Sequence, residues 1–269
     1  MSDGSEREVM RRTFESVAHL YDGRRPDVPD DVYDTIVELT RVPDGGRVLE
    51  VGAGTGRATV PMAARGYRIT AVELGPQLAA IARRNLAEYP DVEVVVADFD
   101  TWPTGEQYDL ILALEAWHWL DPETRTAKAA ALLRDGGAAA TVFRQHVAGG
   151  DTEYFNEAQV FYRRYMPGTP PDLRLTEPHD VPTNDYGLGS SPDFEEPRFR
   201  RWVTVAEYTT ASYLELLETF SSHIALPDAD RAGLFAGLAD LADTRYGGRV
   251  RRATLTELCV ARRRARPTG

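Results

Sequence analysis

Apolar positions along the first half of the chain fall into two alternating patterns. In "PDDVYDTIVELT", Val32, Ile36 and Leu39 recur at i, i+4 and i+7, which predicts an amphipathic helix with acids in its first turn. "VPDGG" then makes a turn, and the short apolar run "RVLEV" predicts a strand. Comparable runs follow as "RITAV", "VEVVVA", "DLILAL" and "AAATVF". Helical stretches lie between them, including "PQLAAIARRNLAEY" and "ETRTAKAAALLR", the latter closed by the glycine cap in "RDGG". Strands separated by helices of this length predict βαβ crossovers and a parallel sheet covered on both faces.

The alternation breaks after residue 149. One helical stretch, "DTEYFNEAQVFYRRYMPG", is followed by a Pro- and Asp-rich run reaching residue 197. At about fifty residues this segment reads as an insertion, because a unit that short makes a poor core of its own. "RFRRWVTV" then reads as a strand, "TASYLELLETFSS" and "DADRAGLFAGLADLADTRY" as helices, and "RATLTELCVARR" as a final strand.

The ends of the predicted strands carry the chemistry. In "VLEVGAGTGRAT" a strand runs into Gly52, Gly54 and Gly56 and then into a helix. Glycines there allow a sharp turn and a close approach by a ligand, and the helix start offers N–H groups. The dinucleotide fingerprint places its third glycine three residues after the second. Arg57 occupies that place here, which disfavours a nicotinamide or flavin protein. Glu73 ends the second strand, where a carboxylate can accept both hydroxyls of a ribose. Asp98 and Phe99 end the third, where an acid can accept from an adenine amino group and a ring can cover the base. "LEAWHWLD" ends the fourth. All fall on the carboxyl edge of the sheet, where open α/β sheets bind ligands.

Together, "LEVGAGTG", "VELG", "ADFDTWP", "YDLILALEAWHWLD" and "LLRDGG" resemble the class I S-adenosylmethionine-dependent methyltransferases over about residues 45–143. "FESVAHLYDGRRPDVPDD" and "AWHWLD" resemble a small-molecule branch that includes trans-aconitate-type enzymes, with Val28 where that branch has tyrosine. The resemblance implies an α/β, Rossmann-like, mostly parallel seven-stranded sheet with helices on both faces. Its last two strands would form an antiparallel-inserted pair, and a lid insertion would follow strand five. It further implies an N-terminal segment, 1–44, folding over the cofactor, a cofactor-binding domain from 45–149 and 198–264, and an acceptor lid at 150–197. S-adenosylmethionine would be held by Tyr21, Arg25, Glu50, Gly52, Ala53, Gly54, Gly56, Glu73, Leu74, Asp98, Phe99, Glu115 and Trp117. Tyr21 reads equally as helix packing, and Arg25 as a stiffener of its turn.

Composition narrows the acceptor. The 269 residues carry a formal net charge of −11, which repels a nucleic-acid backbone and leaves only the basic tail "ARRRARPTG" as a patch. An RNA or protein methyltransferase is therefore the weaker alternative, and a nicotinamide-dependent oxidoreductase weaker still. The single cysteine, Cys259, excludes an intrachain disulfide and fits a reducing cytoplasm. The first residues contain no apolar signal-peptide core, and no apolar run approaches a membrane span. The expectation is a cytoplasmic monomer or homodimer acting on a small molecule at an oxygen, carboxylate or hydroxyl. No metal-ligand spacing is visible.

His118 reads either as a general base or acceptor-positioning group, or as a packing histidine beside the cofactor. Trp119 is a candidate acceptor wall, and Asp121 in "DPET" a helix cap. Arg144 and His146 alternate and so share one face of an extended segment, from which they can hold an anionic acceptor. Tyr154, Ala158, Phe161, Tyr162 and Tyr165 have helical spacing, which fits a core stripe or a lid. On the lid reading, Phe155 and Tyr162 contact the acceptor.

Overall fold

The computed structural model describes residues 26–102, 105–170 and 173–265. Helix α1 (Asp30–Thr40) buries Val32, Tyr33, Ile36 and Leu39, as its spacing predicts. Strand β1 (Arg47–Val51), helix α2 (Thr59–Ala64), strand β2 (Arg68–Glu73), helix α3 (Pro76–Asn85) and strand β3 (Val92–Val96) follow in alternation. Strand β4 (Tyr108–Leu114) leads through a single 3-10 turn at Trp117–Trp119 into helix α4 (Arg125–Leu132) and the long strand β5 (Leu133–Gly150). Then come helix α5 (Thr152–Tyr165), strand β6 (Arg198–Thr209), helices α6 (Thr210–Leu217), α7 (Ser221–Ile224) and α8 (Asp228–Arg245), and strand β7 (Arg249–Arg262).

The seven strands form one sheet in the order β3-β2-β1-β4-β5-β7-β6. Strands β1 to β5 run parallel, and β7 is antiparallel to both its neighbours. The expected antiparallel pair is thus a single reversed strand: β6 pairs with β7 alone and runs in the direction of β5. Position by position, Val48, Ile69, Leu110, Leu112 and Leu258 face α1 and α2, while Leu49, Val51, Ile111 and Ala113 face the other way. This two-sided burial explains why the central strands read as continuous apolar runs.

Among the described residues, α1 packs on the sheet as part of the core; it lies against β5 and β7, and its Val32, Ile36 and Leu39 share a cluster with Ala138, Ala140, Leu258 and Val260. Tyr21 and Arg25 lie outside the described residues. The segment 150–197 divides into two structures. Helix α5 joins α6 and α8 in an apolar cap, with Tyr154, Phe155 and Ala158 packed against Tyr213, Leu216, Leu234 and Leu238. The chain beyond it runs along the sheet, where Leu188 and Phe194 are buried beside Ile111 and Ala139. Arg201 Nη1 donates to the Val181 carbonyl at 2.7 Å and the Asn184 amide to Glu257 Oε1 at 3.0 Å, pinning that run to β6 and β7. The run covers the sheet face on which Ile111 and Ala139 lie, beside α4.

Gly150, where β5 turns into α5, has φ +62, and a methyl group on it would overlap the Arg251 carbonyl. Gly150→Ala is expected to lower stability by about 2 kcal/mol. In urea the unfolding midpoint should fall with the slope unchanged. An unchanged midpoint would show that the junction relaxes freely.

Candidate functional site

A cavity of about 340 Å³ opens at the carboxyl edge of the parallel strands. One end is built by the β1 and β2 loops. Glu73, 7% exposed, accepts from the Gly54 amide at 2.7 Å and from the Gly75 amide at 2.8 Å. One carboxylate therefore ties the glycine loop to the loop after β2. Gly52 has φ +70, and a Cβ there would stand 2.5 Å from that of Ala116, so only glycine permits the β1 and β4 loops to close on one another. Leu74, Leu78 and Phe99 add an apolar wall.

The glycine loop differs in one respect from its expected role. The amides of Gly52 and Ala53 bond to the Val72 carbonyl, that of Gly54 to Glu73, and that of Gly56 to the Ala53 carbonyl. Four amides that a phosphate-binding loop would turn toward its ligand are spent inside the fold. The loop suits a cofactor that brings ribose hydroxyls and an apolar ring without a pyrophosphate.

The other end is built from strands β4 and β5 and from the cap. Glu115 has φ +54 and sits in the wall, where its Oε2 accepts from Arg144 Nη2 at 2.6 Å and Nε at 3.1 Å. Arg144, its side chain 8% exposed, also donates to the Pro26 carbonyl at 2.6 Å. The 3-10 turn advances by about 120° per residue, which separates neighbouring rings. His118 and Trp119 line the cavity, whereas Trp117 is buried in the core beneath it. The His118 ring meets Phe143 edge-on, with centroids 5.4 Å apart, and lies 4.7 Å from Trp119. Arg125 braces the turn by donating to the carbonyls of Trp117 at 3.0 Å and Tyr186 at 2.9 Å. Asp121 accepts from the Glu123 amide, capping the turn that enters α4.

Of the expected cofactor residues, Gly52, Gly54, Glu73, Leu74, Phe99 and Glu115 line the cavity. Ala53 and Trp117 are buried outside the cavity lining, and Gly56 lines a second cavity with Thr55 and Arg57. Asp98 stands between two lining residues and turns its Oδ1 to the Asp100 amide at 2.9 Å. Glu50 is 1% exposed and lies beneath the loop, with one carboxylate oxygen lacking a hydrogen-bond partner. Of the expected acceptor residues, Trp119 and Arg144 line the cavity. His146 shares Arg144's face but is roofed by Phe155 at 4.3 Å. Burial holds it down at about 3, with Arg252 adding, so it is neutral. Phe155 and Tyr162 belong to the cap, Tyr162 with its hydroxyl 3.3 Å from His223 Nε2. Sequence reasoning missed Phe143, Phe220, Ser221 and Ser222 in the wall. Phe143 was visible as the neighbour of Arg144 at the end of strand five. The other three come from the end of the α6–α7 break and the first turn of α7, which carry no motif.

Known proteins resemble this chain in sequence and in fold. Residues 48–137 match the family model of a methyltransferase domain. An uncharacterized methyltransferase of Mycobacterium tuberculosis is 30% identical over 132 residues, 49% of this chain and 51% of the relative. The match thus spans about half the length of that relative. An uncharacterized methyltransferase-like protein of Schizosaccharomyces pombe is 24% identical over 235 residues, 87% of each chain. The solved structure of a putative type II methyltransferase from Anaeromyxobacter dehalogenans shares the fold, with TM-score 0.62 and 21% identity over 90% of this chain and 99% of that one. Residues 48–137 therefore form a methyltransferase domain, and the chain as a whole has the fold of that solved methyltransferase. The cofactor of its methyltransferase domain is S-adenosylmethionine.

Burial lifts the Glu50 carboxyl from 4.5 to about 8, with the nearby Glu73 carboxylate adding to the effect. A raised acid favours folding where it is protonated, so its contribution is fully present below 4.5, falls as pH rises and is lost above about 8. Glu50→Gln should remove a loss on the order of 4 kcal/mol across that window. Urea unfolding of both proteins from about pH 5 to about pH 9 measures it. Parallel stability curves would refute the assignment.

Proposed function

We propose that the protein transfers a methyl group from S-adenosylmethionine to an oxygen, carboxylate or hydroxyl, of a small-molecule acceptor. The observation that carries this reading is the two-ended cavity. Glu73 and an apolar wall stand at one end, and His118, Trp119, Phe143 and Arg144 stand at the other. The bound cofactor supplies an electrophilic methyl on a sulfonium, so the chain's own work is alignment, exclusion of water and handling of one proton.

On this reading Glu73 accepts the ribose hydroxyls while keeping its two amides, and Phe99, Leu74 and Leu78 cover the adenine. Asp98 reaches the adenine amino group by turning from the Asp100 amide. Gly52 and Gly54 let the cofactor lie close to the main chain. His118 takes the proton from a hydroxyl acceptor, or orients a carboxylate acceptor that needs no base. Trp119 and Phe143 hold the acceptor in line. The cavity is a pit walled by two loops and a helical cap, which suits a small molecule more than a folded RNA or protein, and the net charge of −11 supports the same choice. No described helix is long and apolar enough to cross a membrane. With a single buried cysteine, we place the protein in the cytoplasm as a monomer or homodimer.

S-adenosylhomocysteine should raise the melting temperature, by about 2.7 kcal/mol of added stability at a hundredfold excess over Kd, and NADH should not. Stabilisation by NADH alone would overturn the cofactor reading. Glu73→Gln should weaken S-adenosylhomocysteine binding by about 10-fold or more by calorimetry. His118→Ala should slow methylation of a hydroxyl acceptor by about 100-fold or more and that of a carboxylate acceptor by much less. Equal losses on both would assign His118 to positioning.

A further inference from the structure

The sheet face beside the cavity changes character along its length. Near its middle, Ala138, Ala140 and Val142 of β5 and Leu258 and Val260 of β7 are apolar and lie in the core cluster that α1 joins. Toward the cap, strand register brings polar residues together. Arg144 pairs with Thr256 and His146 with Thr254 across β5 and β7, and Arg252 follows two positions on along β7. Directly opposed residues of antiparallel strands share a face, so these five side chains form one polar patch. The patch adjoins the cavity at Arg144 and Phe220, which line the cavity wall.

Charge is unbalanced in this patch. The guanidinium of Arg144 is engaged by Glu115 and the Pro26 carbonyl. Arg252, largely buried, donates to Thr254 Oγ1 at 2.7 Å and stands 5.8 Å from the centre of the Phe220 ring. Among the described residues it has no carboxylate within ion-pair distance. Glu115, the acid that acts on it, is already held by Arg144 at 2.6 Å. The buried Nε2 of His146 also has no partner. A guanidinium withdrawn from water without a counter-charge is costly, and an orphaned ring nitrogen adds to that cost.

We infer that this patch is the acceptor's anion subsite: it takes a carboxylate of the small-molecule acceptor, with Arg252 as the specificity-determining residue and His146 Nε2 as a second donor. The inference rests on the methyltransferase reading of the cavity. It assigns Arg252, rather than the already neutralised Arg144, to recognition of charge. An anionic acceptor would reach Arg252 past Phe220, with its methyl-accepting atom left toward His118. A planar fork matches a carboxylate with two parallel N–H bonds, which a lysine cannot reproduce.

The test uses the full chain saturated with S-adenosylhomocysteine. It is titrated by calorimetry with malonate, succinate, glutarate and citrate, and with the neutral amide of each, at constant ionic strength. At least one carboxylate should bind and its amide should not. Arg252→Gln should weaken that binding by about 10- to 100-fold without changing S-adenosylhomocysteine affinity, and Arg252→Lys should recover only part of the loss. If Arg252→Gln does not fold, the partial loss in Arg252→Lys with normal S-adenosylhomocysteine affinity carries the result. Carboxylate binding unchanged in the variants, binding by the amides alone, or no binding by any probe would overturn the subsite and leave the methyltransferase reading standing. A variant that is less stable yet binds carboxylates normally would give Arg252 to an acid of the chain itself and also overturn it. Failure of the wild-type protein to bind S-adenosylhomocysteine would overturn both.

Discussion

The working edge of this molecule depends on one carboxylate. Glu73 ends β2, and its two oxygens accept amides from both the glycine loop after β1 and the start of α3. Hydrogen bonds to an ionised acceptor are short and strong, and here they close a gap between neighbouring parallel strands that backbone pairing no longer spans. The same closure places a second acid, Glu50, close beneath the loop. Two acids so near need not both be charged, because the deeper one, Glu50, is pushed toward its neutral form by burial. The loop can therefore present a carboxylate to the cavity without a repelling charge directly below it.

The acceptor end has a different construction. Its walls come from the β4 turn, from the end of β5 and from the α6–α7 break, segments far apart in the chain. The cofactor end is short-range in sequence, with a strand, a loop and the next strand. The acceptor end is instead set by the long-range packing of the helices of the cap. Helix α5 contributes to this end indirectly. Phe155 roofs His146 and packs on Tyr213, so the cap sets how deep the polar patch lies.

That contrast decides what could be read from the residues. The five parallel strands and the lining roles of Gly52, Gly54, Glu73 and Phe99 were legible, because turn glycines and strand-end acids are local signals. The fate of "WHW" was legible only in part. Its position at the fourth strand end was readable, but a 3-10 turn, not an extended segment, sends Trp117 into the core and its two neighbours to the cavity. The stripe of Tyr154, Ala158 and Phe161 has the same spacing in a core helix as in a lid, so periodicity alone could not separate them. Arg144 and His146 do share a face, as alternation requires, yet burial divides them. Arg252 carried no motif and became visible only through the register of β7 against β5.

The reversed strand also constrains how the protein can be made. β7 lies between β5 and β6 and is the last strand in the order of the chain. While residues 249–262 remain inside the ribosome, β5 presents an unpaired edge and β6 has no partner in the sheet at all. The first five strands can assemble as they emerge, each beside a neighbour already made. The remainder must wait, with 98 residues, 151–248, between β5 and the strand that completes it. A long unpaired edge of that kind is exposed to association with other chains, so synthesis passes through an interval in which the newly formed half depends on chaperones or on speed.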